Sequence, residues 1–357
     1  MRSNMTTLCY IEKEDKYLML HRISKKNDIN KDKWIGIGGH FEEGESPEEC
    51  LFRETLEETG LTLTSFKFRG IVTFCSEDYP IEYMCLYTAD GFTGKLKECE
   101  EGKLEWVEKT KISGLNLWDG DLLFFDLLQR NVPFFSLKLC YDKAGCWKQA
   151  VLNGRELELF DLCDVNGNPT GKVMERGMVH RLGKRHKTVH IWVIRKRKDG
   201  GIDVLLQKRS KEKDSYPGCY DISSAGHIHA GDDFETSAIR ELSEELGIAA
   251  KAEDLRFIGI HEGRIETSFW GTPFIDHEIS AVYLYEKPVE ESTLKLQVEE
   301  VEEVIFMDYG EIREGMQKGT LPNCIYPQEF TMIKEALKSG FRPEDVWIKE
   351  EFIEKRL

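Results

Sequence analysis

Residues 39–61, which read GHFEEGESPEECLFRETLEETGL, contain a helix with clear start and stop signals. Ser46 is a favoured N-cap residue, Pro47 suits the first helical position, and Glu49 at the third position completes a capping box. Gly60 is a typical residue just beyond the end of a helix. The stretch therefore predicts one amphipathic helix that follows a glycine-rich segment.

Three glutamates of this helix, Glu54, Glu57 and Glu58, are spaced i, i+3 and i+4, so their carboxylates share one helical face. Arg53 precedes Glu57 by four residues and can hold it in place. Crowded carboxylates repel one another and need a cation, and oxygen ligands of this kind suit Mg²⁺ or Mn²⁺. A solvated acidic face is the alternative explanation, but the pattern occurs twice in the chain, which favours a metal site.

The second copy lies at an offset of 187 residues. Residues 226–248 read GHIHAGDDFETSAIRELSEELGI, so Arg240, Glu241, Glu244 and Glu245 repeat the arginine and the three glutamates without a gap. A register of charged residues that holds over some forty positions indicates two copies of one folding unit.

Each copy has two apolar, β-branched segments before its helix and three after it. Asp232 is predicted to start the second helix and Gly247 to end it. The predicted class is α/β (α+β): a mixed β-sheet sandwiched by helices, present twice in tandem. Domains are expected at 1–145 and 156–357, with the boundary near 142–156. The predicted strands are 7–11, 17–20, 70–74, 82–88, 104–107, 189–194, 204–206, 256–261, 279–285 and 304–308.

The composition of the 357 residues is that of a globular protein, with 40% hydrophobic residues and a net charge of −16. A strongly acidic chain is a poor candidate for stable nucleic-acid binding or for an anionic membrane surface. No apolar run approaches the roughly 20 residues that span a bilayer, and the N-terminus does not read as a signal peptide. The ten scattered cysteines predict reduced thiols in a cytoplasm, which argues against a disulfide between Cys140 and Cys146.

Both stretches resemble the signature of the Nudix family, G-x5-E-x7-R-E-U-x-E-E-x-G-U, in which U is a bulky apolar residue. The first copy departs from the signature only at Thr55, a U position, and the second only at Asp232, which replaces the first glutamate. The resemblance covers nearly the whole chain as two domains. It implies metal-dependent cleavage of a nucleoside diphosphate linked to another group, so small nucleotides or diphosphates are the expected partners.

The resemblance also implies ligands for Mg²⁺ or Mn²⁺ in each domain. A further carboxylate from a later strand often helps as ligand or base, although an exposed loop glutamate is the alternative in both copies. The predicted metal and catalytic residues of the first domain are the Gly38 carbonyl, Arg53, Glu54, Glu57, Glu58 and Glu101. Those of the second domain are the Ala225 carbonyl, Arg240, Glu241, Glu244, Glu245 and Glu300.

Residues 1–140 resemble the MutT-type branch of the family, which hydrolyses oxidised purine nucleoside triphosphates. The matching segments are KWIGIGG at 33–39 and LWDGD at 117–121. By this resemblance, the first domain is expected to cleave an oxidised purine deoxynucleoside triphosphate into the monophosphate and pyrophosphate.

Four residues form the predicted substrate-binding set of that domain. Trp118 is expected to stack on the base or pack beside it, and Asp121 to hydrogen-bond the base edge; ordinary core packing is the alternative for Trp118. Arg22 and Ile35 complete the set. Ile35 stands where some eukaryotic members have a base-reading asparagine, so base recognition need not be identical.

Residues 156–357 resemble a different branch, close to isopentenyl-diphosphate isomerase, through LFDLCD at 159–164 and DISSAGH at 221–227. His180, His186 and His227, with Glu278, fall roughly where those isomerases hold a second metal. Surface or packing roles are the alternative for the three histidines.

The isomerases carry a cysteine where this chain has Ala225. Isomerisation of an unactivated alkene needs a proton donor and acceptor on opposite faces, which a methyl group cannot supply. The second domain is therefore predicted to be a hydrolase of an unidentified diphosphate. A non-catalytic nucleotide-binding module and an isomerase are the alternatives.

Overall fold

The computed structural model describes residues 4–24, 28–213, 215–269 and 272–353. The chain divides into two compact units, Met1–Leu159 and Phe160–Leu357. Each unit contains its own mixed β-sheet with helices packed on it. This arrangement, in which one α/β unit occurs twice in tandem, confirms the predicted fold class.

The sheet of the first unit has the order β3-β2-β1-β5-β4-β7-β8-β9, with β6 also paired to β2. The β1–β5 and β4–β7 pairs are parallel, and the other pairs are antiparallel. The strands are β1 (Met5–Lys13), β2 (Lys16–Arg22), β3 (Trp34–Ile35), β4 (Leu61–Ser76), β5 (Tyr79–Gly94), β6 (Gly102–Glu108), β7 (Phe135–Tyr141), β8 (Trp147–Leu152) and β9 (Arg155–Leu157). The α-helices are α1 (Pro47–Thr59) and α2 (Asp121–Gln129).

The second unit repeats this plan. Its strands are β10 (Leu159–Cys163), β11 (Pro169–Glu175), β12 (His186–Lys196), β13 (Ile202–Arg209), β14 (Tyr220–Asp221), β15 (Ser224–His227), β16 (Leu255–Phe269), β17 (Thr272–Tyr285), β18 (Val301–Asp308) and β19 (Trp347–Ile353). Its α-helices are α3 (Arg176–Leu182), α4 (Phe234–Leu246), α5 (Tyr309–Lys318) and α6 (Pro327–Ala336). The β12–β17 and β16–β19 pairs are parallel, as are their counterparts in the first unit.

Helices cover both faces of the second sheet because its central strand is apolar on both sides. In β12, Val189, Ile191 and Val193 join the core cluster that contains residues of α4. Trp192 and Ile194 point the other way and join the cluster formed with α5 and α6. Successive strand residues alternate between faces, so His190, which neighbours both Val189 and Ile191, lies on the α6 side of the sheet.

The ends of the two signature helices follow the predicted capping signals with one correction. In α1, Ser46 and Glu49 form both bonds of a capping box, as predicted. In α4 the N-cap is Asp233 rather than the predicted Asp232, because the Asp233 carboxylate accepts from both the amide and the hydroxyl of Thr236. Gly60 ends the first helix with a φ of 74°, and the glycine after α4 does the same.

All ten predicted strands lie within observed strands. Residues 146–155 lie between the two domains expected from the sequence, but β8 spans most of this segment and pairs with β7. β9 then pairs with β8 and completes the first sheet, so the segment belongs to the first unit. Among the described residues, no helix has the length and apolar character needed to cross a membrane.

Candidate metal and substrate sites

The first signature helix, α1, is organised around Arg53. Its Nε and Nη2 lie 2.6 and 2.9 Å from the two carboxylate oxygens of Glu45, and its Nη2 also donates to the His40 carbonyl at 3.0 Å. Its Nη1 lies 2.7 Å from Glu54 and 3.3 Å from Glu57. The hydrogen bonds from Arg53 lower the pKa of Glu45 to about 2. Arg53 therefore links the loop before the helix to two of the predicted metal ligands.

Close packing against the glycine-rich segment holds the other carboxylates of the first site. Glu58 is buried, and its Oε2 accepts from the Gly38 amide at 3.0 Å. The Glu54 carboxylate lies over Gly39, where an added Cβ would be only 2.5 Å from the Glu54 Cδ. A side chain at position 39 would displace this carboxylate, which explains why the chain has glycine there.

The second signature helix, α4, has the same arrangement. Arg240 lies 2.9 Å from Glu241 and 3.3 Å from Glu244, and it donates to the His227 carbonyl at 3.0 Å. Glu245 accepts from the Ala225 amide at 3.1 Å. Burial raises the pKa of the Glu245 carboxyl to about 7.

The two helices differ at the first acidic position of the signature. Glu45 takes both the Nε and the Nη2 of Arg53 in the first domain. Asp232 is one methylene shorter, and the buried Nε of Arg240 has no hydrogen-bond partner among the described residues. The conservative replacement found in the sequence thus removes a structural contact.

The two later glutamates occupy matching places in the domains. The backbone carbonyl of Glu101 accepts from the Ser24 amide, and that of Glu300 accepts from the Ser210 amide. Glu101 forms an ion pair with Arg22, and Glu300 forms one with Lys213. Arg22 also contacts Asp28 at 2.7 Å. Neither these two glutamates nor the glutamates of α1 and α4 lie in one of the groups whose ligand atoms approach within 4.8 Å of one another in the described chain, so the metal-binding role of all of them remains a prediction.

In the first domain, Trp118 lies in an aromatic cluster. Its ring is 5.2 Å from Phe74 and 4.8 Å from Tyr141, its Nε1 donates to Asn30 at 2.9 Å, and Lys33 Nζ lies 4.4 Å from the ring centroid. The side chain is only partly buried. It therefore packs on the core with part of its surface accessible, which fits both interpretations of the sequence.

Asp121 is the first residue of α2 and is 8% exposed. Burial raises the pKa of its carboxyl to about 7, against the opposing effect of Lys33. Burial in turn lowers the pKa of Lys33. Ile35, which the sequence places in the substrate-binding set, is half-buried on β3, where it packs against the core cluster that contains residues of α1. Trp118 lies in the loop before α2, three residues ahead of Asp121.

In the second domain, three histidines come together as the sequence predicts. Ring nitrogens of His180 on α3, His186 on β12 and His227 on β15 lie within 4.8 Å of one another. Phe160 stacks on His227, with ring centroids 4.6 Å apart. Burial lowers the pKa of all three imidazoles, and that of His180 falls to about 3. Neutral imidazoles of this kind are the form that ligates metals.

Two carboxylates of β17 complete the cluster. Asp276 Oδ1 lies 3.7 Å from the Nε2 atoms of both His180 and His186, and Glu278 Oε1 lies 3.9 Å from His227 Nε2. Burial opposes the ionisation of Glu278, but the neighbouring histidines lower its pKa to about 2. Glu278 is predicted from the sequence, whereas Asp276 is not. The signal for Asp276 was its position two residues before Glu278, which places both side chains on one face of a strand.

The polar atoms at the centre of this cluster lack ordinary partners. The Nε2 atoms of His180, His186 and His227 and the Oδ1 atom of Asp276 are buried, and no hydrogen-bond partner for them exists among the described residues. Buried polar atoms are normally satisfied, so four such atoms around one point fit a bound cation. The mixture of imidazole and carboxylate suits a transition metal such as Mn²⁺ or Zn²⁺ better than Mg²⁺ alone.

Sheet register shows which residues of the first domain stand at these positions. In the first domain, Cys9 pairs with Ile37 and with Tyr87. In the second domain, Ile191 pairs in the same way with Ser224 and with Tyr283. Because Ile37 and Ser224 are 187 residues apart, which is the offset of the repeat, Cys9 corresponds to Ile191. Counting along the strands, the first domain therefore has His40 and Glu82 at the positions of His227 and Glu278, with a separation of 3.8 Å. Asn4 and Pro80 stand at the positions of His186 and Asp276. At two of these four positions the first domain therefore has neither a histidine nor a carboxylate.

Basic side chains lie near the histidine cluster and α4. Arg176, on α3, helps to lower the pKa of His227, for which burial is the main cause. Lys213 is close enough to Glu245 for the two to influence each other, and burial lowers the pKa of Lys213 to about 8. Arg209 lies 2.8 Å from Asp221 and also donates to Ser215. Arg209 and Lys213 thus lie beside carboxylates, Asp221 and Glu300, in the neighbourhood of the histidine cluster and α4.

The matching family model is the NUDIX domain, which covers residues 2–126 and 184–324. The chain belongs to the Nudix family, and it contains the domain twice.

Three relatives illustrate the range of the similarity. Nudix hydrolase 3 of Arabidopsis thaliana is 40% identical over 163 residues, which is 45% of this chain and 20% of that protein. The oxidized purine nucleoside triphosphate hydrolase of Danio rerio is 31% identical over 111 residues, 31% of this chain and 71% of that protein. The isopentenyl-diphosphate Delta-isomerase of Rhodobacter capsulatus is 34% identical over 115 residues, 32% of this chain and 60% of that protein. The chain thus spans about a fifth of the length of the plant relative.

Proposed function

We propose that the protein is a metal-dependent pyrophosphohydrolase with two separate active sites, one in each Nudix domain. The observation that carries this proposal is the repeated arginine–glutamate arrangement of α1 and α4. In each helix the arginine holds the glutamates and a backbone carbonyl of the preceding segment. Such an arrangement prepares the carboxylates for Mg²⁺ or Mn²⁺.

In the first domain Glu54, Glu57 and Glu58, with the Gly38 carbonyl, would hold the metal. Bound there, Mg²⁺ or Mn²⁺ would neutralise phosphate charge and activate a water. The chain itself supplies orientation, because Arg53 fixes Glu54 and Glu57 while the Gly38 amide fixes Glu58. Glu101 is the proposed further ligand or base, and its release from Arg22 would make its carboxylate available.

For the first domain we propose an oxidised purine nucleoside triphosphate as substrate. Similarity to the Danio rerio protein supports this class, and so does the Trp118–Asp121 pair. A carboxyl whose pKa burial raises to about 7 is partly protonated near neutral pH, so Asp121 can either donate to or accept from a base edge. The partly exposed Trp118 ring offers a surface for the base, with Arg22 and Ile35 as further proposed contacts.

The test is hydrolysis by the full chain of oxidised dGTP and of a pyrimidine triphosphate, with pyrophosphate and phosphate detected separately. Asp121→Ala should raise KM for the oxidised purine at least about tenfold, because one desolvated hydrogen bond is worth about 1.5 kcal/mol. The pyrimidine triphosphate should be little affected. Equal losses for both substrates would show that Asp121 does not read the base.

For the second domain we propose hydrolysis of a diphosphate at a site with two metal positions. Glu241, Glu244 and Glu245, with the Ala225 carbonyl, would hold one metal, and Glu300 is the proposed further ligand. The histidine cluster with Asp276 and Glu278 would hold the other. The nearby Arg176, Lys213 and Arg209 provide the positive charge that a diphosphate requires.

An isomerase activity is the second candidate, since the histidine cluster and the similarity to the Rhodobacter capsulatus isomerase favour it. Ala225 argues against it, because a methyl group cannot transfer a proton. The experiment is incubation of the full chain with isopentenyl diphosphate and Mn²⁺ in deuterated water. We expect no deuterium in the recovered diphosphate. Dimethylallyl diphosphate above the buffer control would contradict the hydrolase assignment.

A further inference from the structure

A chain of alternating carboxylates and imidazoles runs through the core of the second domain, away from the histidine cluster. It starts at Glu278, whose Oε2 lies 3.6 Å from His190 Nε2. His190 Nδ1 lies 2.8 Å from Glu329, which lies 3.4 Å from His261 Nδ1. His261 Nε2 lies 3.1 Å from Glu350. We call these five residues the buried relay.

Most side chains of the buried relay are almost completely shielded from solvent. The side chains of Glu329 and His261 have no exposed surface, that of Glu350 is 3% exposed and that of His190 is 6% exposed. Trp192 Nε1 donates to the second oxygen of Glu329 at 2.9 Å, and the Gln328 amide donates to Glu350 at 3.1 Å. The relay therefore joins β17, β12, α6, β16 and β19, with Glu278 at its end beside the metal-type ligands.

The first domain shows that this fold does not need the relay. By the sheet register, Leu8, Val72 and Leu139 stand at the positions of His190, His261 and Glu350. Val72 and Leu139 are fully buried. Burying ionisable groups is costly, and hydrophobic residues often replace a buried ion pair without loss of stability. The second domain therefore has buried ionisable groups at positions where the first domain has apolar side chains.

We propose that His190 is a positioning residue of the metal centre, and that the buried relay holds the Glu278 carboxylate in place for a divalent cation. His190 Nδ1 lies at hydrogen-bond distance from Glu329, and its Nε2 faces the Glu278 carboxylate across 3.6 Å. The contact with Glu278 limits the orientation of that carboxylate, and the hydrogen bond to Glu329 holds the His190 ring in place. The inference rests on the proposed metal centre of the second domain.

The experiment measures binding of Mn²⁺ alone to the full chain by calorimetry and electron paramagnetic resonance. Glu58→Gln and Glu245→Gln are introduced first to weaken the signature-helix sites. In this background His227→Ala should abolish one Mn²⁺ site. If His227→Ala removes no Mn²⁺, the proposed metal centre itself is wrong, and that result is separate from the inference about the relay.

Two double replacements then test the relay. His190→Leu with Glu329→Leu removes both charges together, so that neither stays buried alone, and it should weaken Mn²⁺ binding about 10–100-fold, as loss of a supporting partner typically does. His190→Gln with Glu329→Gln keeps an N–H donor beside Glu278 and should retain affinity within about fivefold of the background, so the two pairs separate donation from packing.

The control is Thr188→Val. Thr188 lies on β12, the strand of His190, and its hydroxyl forms a buried hydrogen bond with the Ser280 hydroxyl, so the change removes a hydrogen bond without altering a contact of Glu278. It should leave Mn²⁺ affinity unchanged, and melting curves without metal should show that all variants are folded. Mn²⁺ affinity in the leucine pair equal to that of the background would overturn the inference. Equal weakening in the leucine and glutamine pairs would also overturn it, since the donor to Glu278 would then be irrelevant.

Discussion

The unpaired Nε of Arg240 can be given a partner by one methylene group. In the first domain, Glu45 reaches both Nε and Nη2 of Arg53 at 2.6 and 2.9 Å. Asp232 stands at the same position in the second domain, and the Arg240 Nε has no partner among the described residues. Asp232→Glu should extend the carboxylate to Arg240 and reproduce the two-point contact of the first domain.

The expected gain in stability can be worked out from the matching Glu45–Arg53 contact of the first domain. Hydrogen bonds to charged groups contribute about 1.5–3 kcal/mol when buried. The side chains of Glu45 and Arg53 are 15% and 22% exposed, so solvent screening and side-chain ordering reduce the net value to about 1 kcal/mol. A domain of this size should then melt about 2–4 °C higher. Local opening of α4 should become about fivefold rarer.

The assay is hydrogen exchange of the full chain, read by mass spectrometry on peptides from α4 and α1, together with thermal unfolding. Asp232→Glu should slow exchange in α4 alone. Glu45→Asp is the matched control and should speed exchange in α1 by a similar factor.

The pH dependence provides a second check. The pKa of Glu45 is held at about 2, below its ordinary value. A lowered pKa stabilises the fold above the unfolded value of about 4.3, and this contribution is lost as the pH falls towards 2. The gain from Asp232→Glu should therefore disappear in acid. Unchanged α4 exchange at pH 7, or a gain that persists at pH 2, would refute the proposed contact.

Three further predictions concern the metal requirement, the independence of the two sites and the ionisation of Asp121. Removal of divalent metal with excess chelator should stop all hydrolysis, and Mg²⁺ or Mn²⁺ should restore it; full turnover in chelator would contradict both metal sites. Glu58→Gln should reduce nucleoside triphosphate hydrolysis about 100-fold or more while the second domain keeps its metal, and Glu245→Gln should do the reverse; loss of both activities through one change would exclude independent sites. Asp121 has a raised pKa, so its contribution to stability is present below pH 4 and lost as the pH rises through 7; Asp121→Asn should stabilise the first domain by about 2 kcal/mol at pH 8 and hardly at all at pH 4, as measured by urea unfolding, and an equal effect at both values would contradict it.

Features that depend on a few neighbouring residues were predictable from the sequence. The capping box of Ser46 and Glu49 and the terminal Gly60 are local signals, and the structure has them where they were predicted. The start of the second helix was wrong by one residue because two consecutive aspartates compete for the N-cap. Only their geometry shows that Asp233 reaches Thr236.

Features that depend on long-range pairing were only partly predictable. The three histidines of the cluster were predicted to lie together only through a family resemblance. Asp276 was not predicted, because an aspartate among other polar residues is common in a strand. Glu329 and Glu350 carry no local signal at all. Glu329 lies on α6 and Glu350 on β19, both more than 60 residues after His261 in the chain. They approach His190 and His261 only because α6 and β19 pack against the sheet.

The comparison of the two domains separates what the fold requires from what a site requires. Val72 and Leu139 are buried apolar residues of the first domain, and His261 and Glu350 occupy the same places in the second. The backbone pairing is the same in both, so the sheet does not determine the choice. What differs is the proposed metal centre, which lies beside the core of the second domain. Among the described residues, only the second domain brings three histidines together, and the metal centre proposed there is what requires Glu278 to be held in place among buried groups.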